Sequence, residues 1–145
     1  TVENFYMNEV LPKAGVVDFL TQLRKQGVAT SIATASEQYQ IEAALRRCHM
    51  EHLFDSIFTC TEVGHGKDEP IIFRKAMEYF GANRNNTIIF EDALHAVKTA
   101  KNDGFKVAVV FDHSEKRQTE IRQLGDFYIK EFEYAEEFWQ FILKE

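Results

Sequence analysis

The sequence predicts an α/β fold in which a parallel sheet is covered by helices on both faces. Three observations predict it. Short apolar runs rich in Val and Ile alternate with segments of helical periodicity along nearly the whole chain. The runs at 28–33 and 87–90 are apolar enough for interior strands and lack the Pro, Lys or bulge signals of an edge. Polar and charged residues gather just after the runs, where open sheets of this kind bind ligands. With 145 residues, 45% of them apolar and 28% charged, the chain supports one sizeable core and not two.

The elements follow in order. After Pro12 and Gly15, the apolar residues Val16, Val17, Phe19, Leu20 and Leu23 recur at helical spacing, and Gly27 stands where a helix ends, so a helix is expected over 15–26. The strand over 28–33 leads into Thr34-Ala35-Ser36, which can cap a helix starting at Glu37 with Ile41, Ala44 and Leu45 facing inward. Ser56-Ile57-Phe58-Thr59 reads as the next strand, and a loop over 61–69 carries Gly64 and Gly66. Pro70 opens a helix that Gly81 stops. Thr87-Ile88-Ile89-Phe90 ends at the acidic pair Glu91-Asp92, and a helix runs on to about Asp103. A strand over 106–110, a helix over 114–124, a strand over 127–129 and a terminal helix over 134–143 complete the alternation. Such order points to right-handed βαβ units.

Composition excludes several functions. Seventeen basic against twenty-three acidic residues, a net charge of −6, argues against nucleic acid as a partner. No apolar run is long enough to span a membrane, and the first residues show neither a basic nor an apolar leader region, so a cytoplasmic protein is expected. Cys48 and Cys60 form no CxxC pair and read as reduced thiols. Gly64-His65-Gly66-Lys67 lacks the earlier glycine of a nucleotide P-loop and is followed by Asp68, and His49 and His52 have no further zinc ligand nearby. The apolar set Tyr134, Phe138, Trp139, Phe141 and Ile142 is expected to dock the terminal helix.

Three strand ends carry chemistry: Thr34 with Ala35 and Ser36, the loop reaching Lys67, and Glu91-Asp92. A hydroxyl with backbone amides, an ammonium and two carboxylates suit an anionic oxygen ligand together with a divalent metal, and magnesium takes carboxylates, waters and substrate phosphate. Singly, each has a structural explanation as a helix cap, a solvated lysine or a partner of a helix dipole. Their placement on successive βα units is what favours function.

Ser31-Ile32-Ala33-Thr34-Ala35-Ser36, then Gly66-Lys67-Asp68-Glu69-Pro70-Ile71-Ile72-Phe73, then Ile88-Ile89-Phe90-Glu91-Asp92-Ala93-Leu94-His95-Ala96 resemble three successive motifs of the haloacid dehalogenase (HAD) superfamily, in its β-phosphoglucomutase-like branch. The resemblance runs from about Val10 to Ile129. It implies a HAD-type Rossmann-like core over 14–145 and a magnesium-dependent phosphomonoester hydrolase, a phosphatase acting on a small phosphorylated metabolite. It also implies Thr34 as the hydroxyl holding the phosphoryl group with Ala35 and Ser36, Lys67 as its charge partner, and Glu91 and Asp92 as Mg2+ ligands. A sugar-phosphate mutase of the same family and a non-catalytic phosphate-binding or interaction module are the alternatives.

Departures accompany the likeness. Asp68, Pro70 and Ile71 alter the lysine motif, and Ala93 and Ala96 replace a serine and a glycine. Family members open with a strand ending in DxDxT, whose first aspartate attacks phosphorus. This sequence contains no DxD; Asp18 falls in a helix, and Asp55, Asp68, Asp103, Asp112 and Asp126 lack the partner and context. The central first strand and the helical cap are therefore expected to be absent, with residues 1–13 a remnant of the cap linker. An N-terminal segment of the same parent protein, or a partner copy, is expected to complete the sheet, leaving this chain alone inactive.

Overall fold

The computed structural model describes residues 4–7 and 14–143, the first of these by backbone alone. Six parallel strands form one sheet: β1 (Asn4–Met7), β2 (Ala29–Thr34), β3 (Ser56–Thr59), β4 (Thr87–Glu91), β5 (Lys106–Val110) and β6 (Phe127–Ile129), in the order β3-β2-β1-β4-β5-β6. Seven α-helices accompany them among the described residues: α1 (Val16–Lys25), α2 (Gln38–Arg47), α3 (Cys60–Val63), α4 (Ile71–Tyr79), α5 (Leu94–Asn102), α6 (Gln118–Leu124) and α7 (Glu136–Leu143). The doubly wound α/β expectation is met.

One expectation is corrected. The central slot between β2 and β4 is not open, because β1 fills it, with Met7 level with Ile32 on one side and Phe90 on the other. The physical reason is the one that made an open slot costly. Two apolar strands face each other with backbone groups that need partners, and a short segment of the chain's own N-terminus supplies them. Residues 1–3 and 8–13, the rest of the expected linker remnant, lie outside the described residues.

The sheet's pleat sorts its side chains into two cores. Ile32, Ile88, Phe90, Ala108 and Val110 pack with α1, α2 and α7, whereas Ala33, Ile89, Val107 and Val109 pack with α4, α5 and α6. Every residue of β4 is buried, as an interior strand requires. Arg24, in the last turn of α1, donates to both oxygens of Asp55 at 2.9 and 3.2 Å, and Asp55 accepts the Thr30 N–H at 2.8 Å. That bidentate pair locks the entry of β2 to the turn before β3.

Two helix starts differ from expectation. The helix expected from Ser114 begins at Gln118, because side chains hold residues 112–117 in a turn. Asp112 Oδ2 accepts the Ser114 N–H at 3.0 Å and also the Ser114 hydroxyl. Glu115 accepts the Arg117 N–H at 3.1 Å and the distant Leu94 N–H at 2.8 Å. Glu115 thus caps α5 from another element, which no local spacing announces. The terminal helix begins at Glu136, after a 3₁₀ turn at Phe132–Tyr134.

Phe138 docks α7, with ring centroids 5.4 Å from Phe19, 5.2 Å from Phe90, 5.8 Å from Phe127 and 5.6 Å from Trp139. Edge-to-face contacts of this kind add to burial. Phe138→Ala is expected to lower stability by about 3–5 kcal/mol in urea unfolding, and a loss below about 1 kcal/mol would show that α7 is not part of the core.

Candidate active site

The order β3-β2-β1-β4-β5-β6 reverses direction at β1 and β4, and a crevice opens at the carboxyl ends of strands at such a point. A cavity of about 420 Å³ is found there, lined by Ala35 after β2, Cys60 after β3, Gly66 and Lys67 before α4, Glu91 at the end of β4 with Asp92, Ala93 and His95 after it, and Asp112 and Ser114 after β5. Sequence reasoning named Ala35, Lys67, Glu91 and Asp92 among these, and the fold brings them together. Thr34 and Ser36 are not among the lining residues. Thr34 is fully buried, and its hydroxyl oxygen accepts the Ser36 N–H at 3.0 Å, so this pair shapes the loop that presents Ala35.

Lys67 and Glu91 form a buried ion pair. Lys67 Nζ donates to Glu91 Oε2 at 3.0 Å, with side-chain exposures of 6% and 0%. Glu91 Oε1 accepts the Asp92 N–H at 3.0 Å and the Ala93 N–H at 3.4 Å, where the chain turns into α5. Both carboxylate oxygens are therefore engaged, which makes Glu91 the anchor of the ammonium and of the turn. Asp92 is placed differently. Burial, then the neighbouring Glu91 charge and a hydrogen bond with it, then the Asp112 charge, push its carboxyl from the usual 3.8 up to about 7, with Lys67 pulling the other way. Asp92 is thus a half-buried acid held among like charges.

That donor set fits a hard divalent cation. The oxygens come from carboxylates, and the electrostatic cost of ionising Asp92 is what a dication would remove. Among the described residues no three His, Cys, Asp or Glu side chains converge as a ready-made metal cage. The pattern suits magnesium, which keeps several waters and takes one or two carboxylates together with phosphate oxygens.

Sequence reasoning missed Asp112, Ser114, His95 and Cys60 as parts of the wall. Asp112 follows β5, so its position after a strand was the available signal; the parallel pairing of β4 with β5 that brings it to the same cavity as Asp92 lay only in the fold.

The family model of haloacid dehalogenase-like hydrolases matches residues 2–110. The chain belongs to that family. Among curated relatives, it is 28% identical over 95 residues to the pyrophosphatase PpaX of Bacillus cereus (strain AH820), covering 66% of this chain and 44% of that protein. It is 29% identical over 120 residues to the PpaX of Halalkalibacterium halodurans, covering 83% and 55%. Its fold is similar to the crystal structure of a putative beta-phosphoglucomutase from Thermotoga maritima, with a TM-score of 0.77 and 23% identity over 90% of this chain and 60% of that one. The chain spans about half the length of the curated relatives it matches. Among the described residues no helix is long and apolar enough to cross a membrane.

The raised Asp92 carboxyl has a stability consequence with a definite sign. Its folded value of about 7 lies above the unfolded one near 3.8, so the folded state holds the proton more tightly. The contribution is complete below about pH 4 and is lost as pH rises through 7. Asp92→Asn is therefore expected to raise the melting temperature by a few degrees at pH 8 in metal-free buffer and to leave it nearly unchanged at pH 4. A lower melting temperature for the variant at pH 8 would contradict the crowding of Asp92 by like charge.

Proposed function

We propose that this chain supplies the phosphate- and magnesium-binding part of a magnesium-dependent phosphomonoester hydrolase acting on a small phosphorylated metabolite. The observation that carries the reading is the convergence of Lys67, Glu91 and Asp92 on one cavity at the sheet's switch point. Lys67 would turn from Glu91 to an incoming phosphoryl oxygen, an exchange that keeps the ammonium paired throughout. Glu91 fixes where that ammonium starts, and Asp92 would hold the cation with Glu91 beside it. Magnesium, when bound, would neutralise charge on the phosphoryl oxygens. Ala35, at the tip of the loop that Thr34 and Ser36 brace, offers backbone to the anion.

The attacking carboxylate is assigned to a segment outside these 145 residues, from the same parent protein or a partner copy. Two facts support this. Asn4-Phe5-Tyr6-Met7 contains no carboxylate, and the relatives are about one and a half times as long. The curated relatives named pyrophosphatases also favour a second reading of the substrate as a diphosphate, which presents the same terminal phosphoryl group.

Two measurements test the assignment. Magnesium titration should show Asp92→Asn weakening the cation by roughly tenfold or more, because one anionic oxygen is lost. The purified chain should hydrolyse p-nitrophenyl phosphate no faster than Asp92→Asn. Equal magnesium affinity in the two forms would reject the metal site, and magnesium-dependent turnover abolished in Asp92→Asn would place the nucleophile inside the chain.

A further inference from the structure

Lys67 and His95 line the same cavity at different depths. Lys67 and Glu91 are buried and form its floor, whereas His95 is exposed and stands at its rim. His95 belongs to the first turn of α5. The rotation of that helix is fixed, because Leu94, Ala96 and Val97 are all buried in the core formed with α4 and α6. Its start is fixed too, by Glu91 accepting the Ala93 N–H and Glu115 accepting the Leu94 N–H. His95 is therefore carried by a rigid turn, and since helical side chains lean toward the helix N-terminus, its imidazole leans toward the turn at Asp92 and Ala93. That ring has no hydrogen-bond or ion-pair partner among the described residues. The other histidines close to these strand ends are engaged, His65 with Glu69 and His113 against the Phe111 ring.

We propose that His95 is a specificity-determining residue of the site, whose imidazole N–H donates to an acceptor oxygen of the substrate beyond the phosphoryl group that Lys67 receives. A cavity of about 420 Å³ is in the range that holds whole small ligands. A substrate whose phosphoryl group reaches the floor leaves its remaining part at the rim, beside a ring that carries an N–H in either tautomer. The substrate class is thereby narrowed to phosphate compounds with a second oxygen acceptor next to the phosphoryl group. A plain hydrocarbon leaving group would displace water from the imidazole and give no bond in return. The inference rests on the reading of Lys67 and Asp92 as the phosphate-and-cation site.

The experiment measures binding to the whole chain at one fixed magnesium concentration, with two probes of similar reach. Pyrophosphate carries a second oxygen-bearing group and phenyl phosphate does not. His95→Ala should lower the ratio of pyrophosphate to phenyl phosphate affinity by roughly three- to tenfold. His95→Phe, which keeps a ring without a donor, should lower it as far, and His95→Gln, which keeps an N–H donor, should restore most of the wild-type ratio. An unchanged ratio in His95→Ala, or a glutamine variant no better than alanine, overturns the role given to His95. Either result leaves the site itself standing so long as Asp92→Asn weakens both probes. A wild-type chain that binds neither probe, or an Asp92→Asn chain that binds both as the wild type does, rejects the site and the inference together.

Discussion

The buried ion pair between Lys67 and Glu91 is the constraint on which the site depends. Placing two charges out of water is costly, and removing one partner from such a pair typically costs about 3–5 kcal/mol. The chain meets that cost by giving Glu91 three donors, the Lys67 ammonium and the N–H groups of Asp92 and Ala93. Those same bonds turn the chain from β4 into α5, so the strand end, the helix start and the lysine loop are fixed by one carboxylate. Glu115 secures the turn from the other side through the Leu94 N–H.

Because Glu91 is satisfied in this way, Asp92 is left with the uncompensated part of the charge. It stands half-buried between Glu91 and Asp112 and holds its proton until about pH 7. The fold therefore disfavours ionised Asp92, and a bound cation would offset that cost. In the proposed site the acid assigned to the cation is the one whose ionisation weakens the fold, an opposition between stability and function. A protein selected only for stability would place a neutral residue at Asp92.

Much of this was legible in the sequence. The alternation of helices and strands gave the layers, and the strand-end residues Lys67, Glu91 and Asp92 gave three members of the cavity wall, because residues after parallel strands are carried to one edge whatever the strand order. Other features were not legible. Residues Asn4–Met7 carry no strong strand pattern, and only the unpaired edges of β2 and β4 make a strand of them. Thr34 follows its strand as expected but turns its hydroxyl oxygen to the Ser36 backbone, a choice made by local loop geometry. Asp112 looked isolated along the chain because its neighbours come from β4, twenty residues earlier in sequence and adjacent only in the sheet.

The central claim is that Lys67 and Asp92 form the two halves of one phosphate-and-cation site, with Glu91 holding the lysine in reserve. A crystal structure of the chain grown with magnesium and inorganic phosphate tests it most directly. The account predicts the cation on Asp92 and the Lys67 ammonium within about 3 Å of a phosphate oxygen. A phosphate bound elsewhere, with Lys67 still on Glu91 and no cation at Asp92, would contradict it.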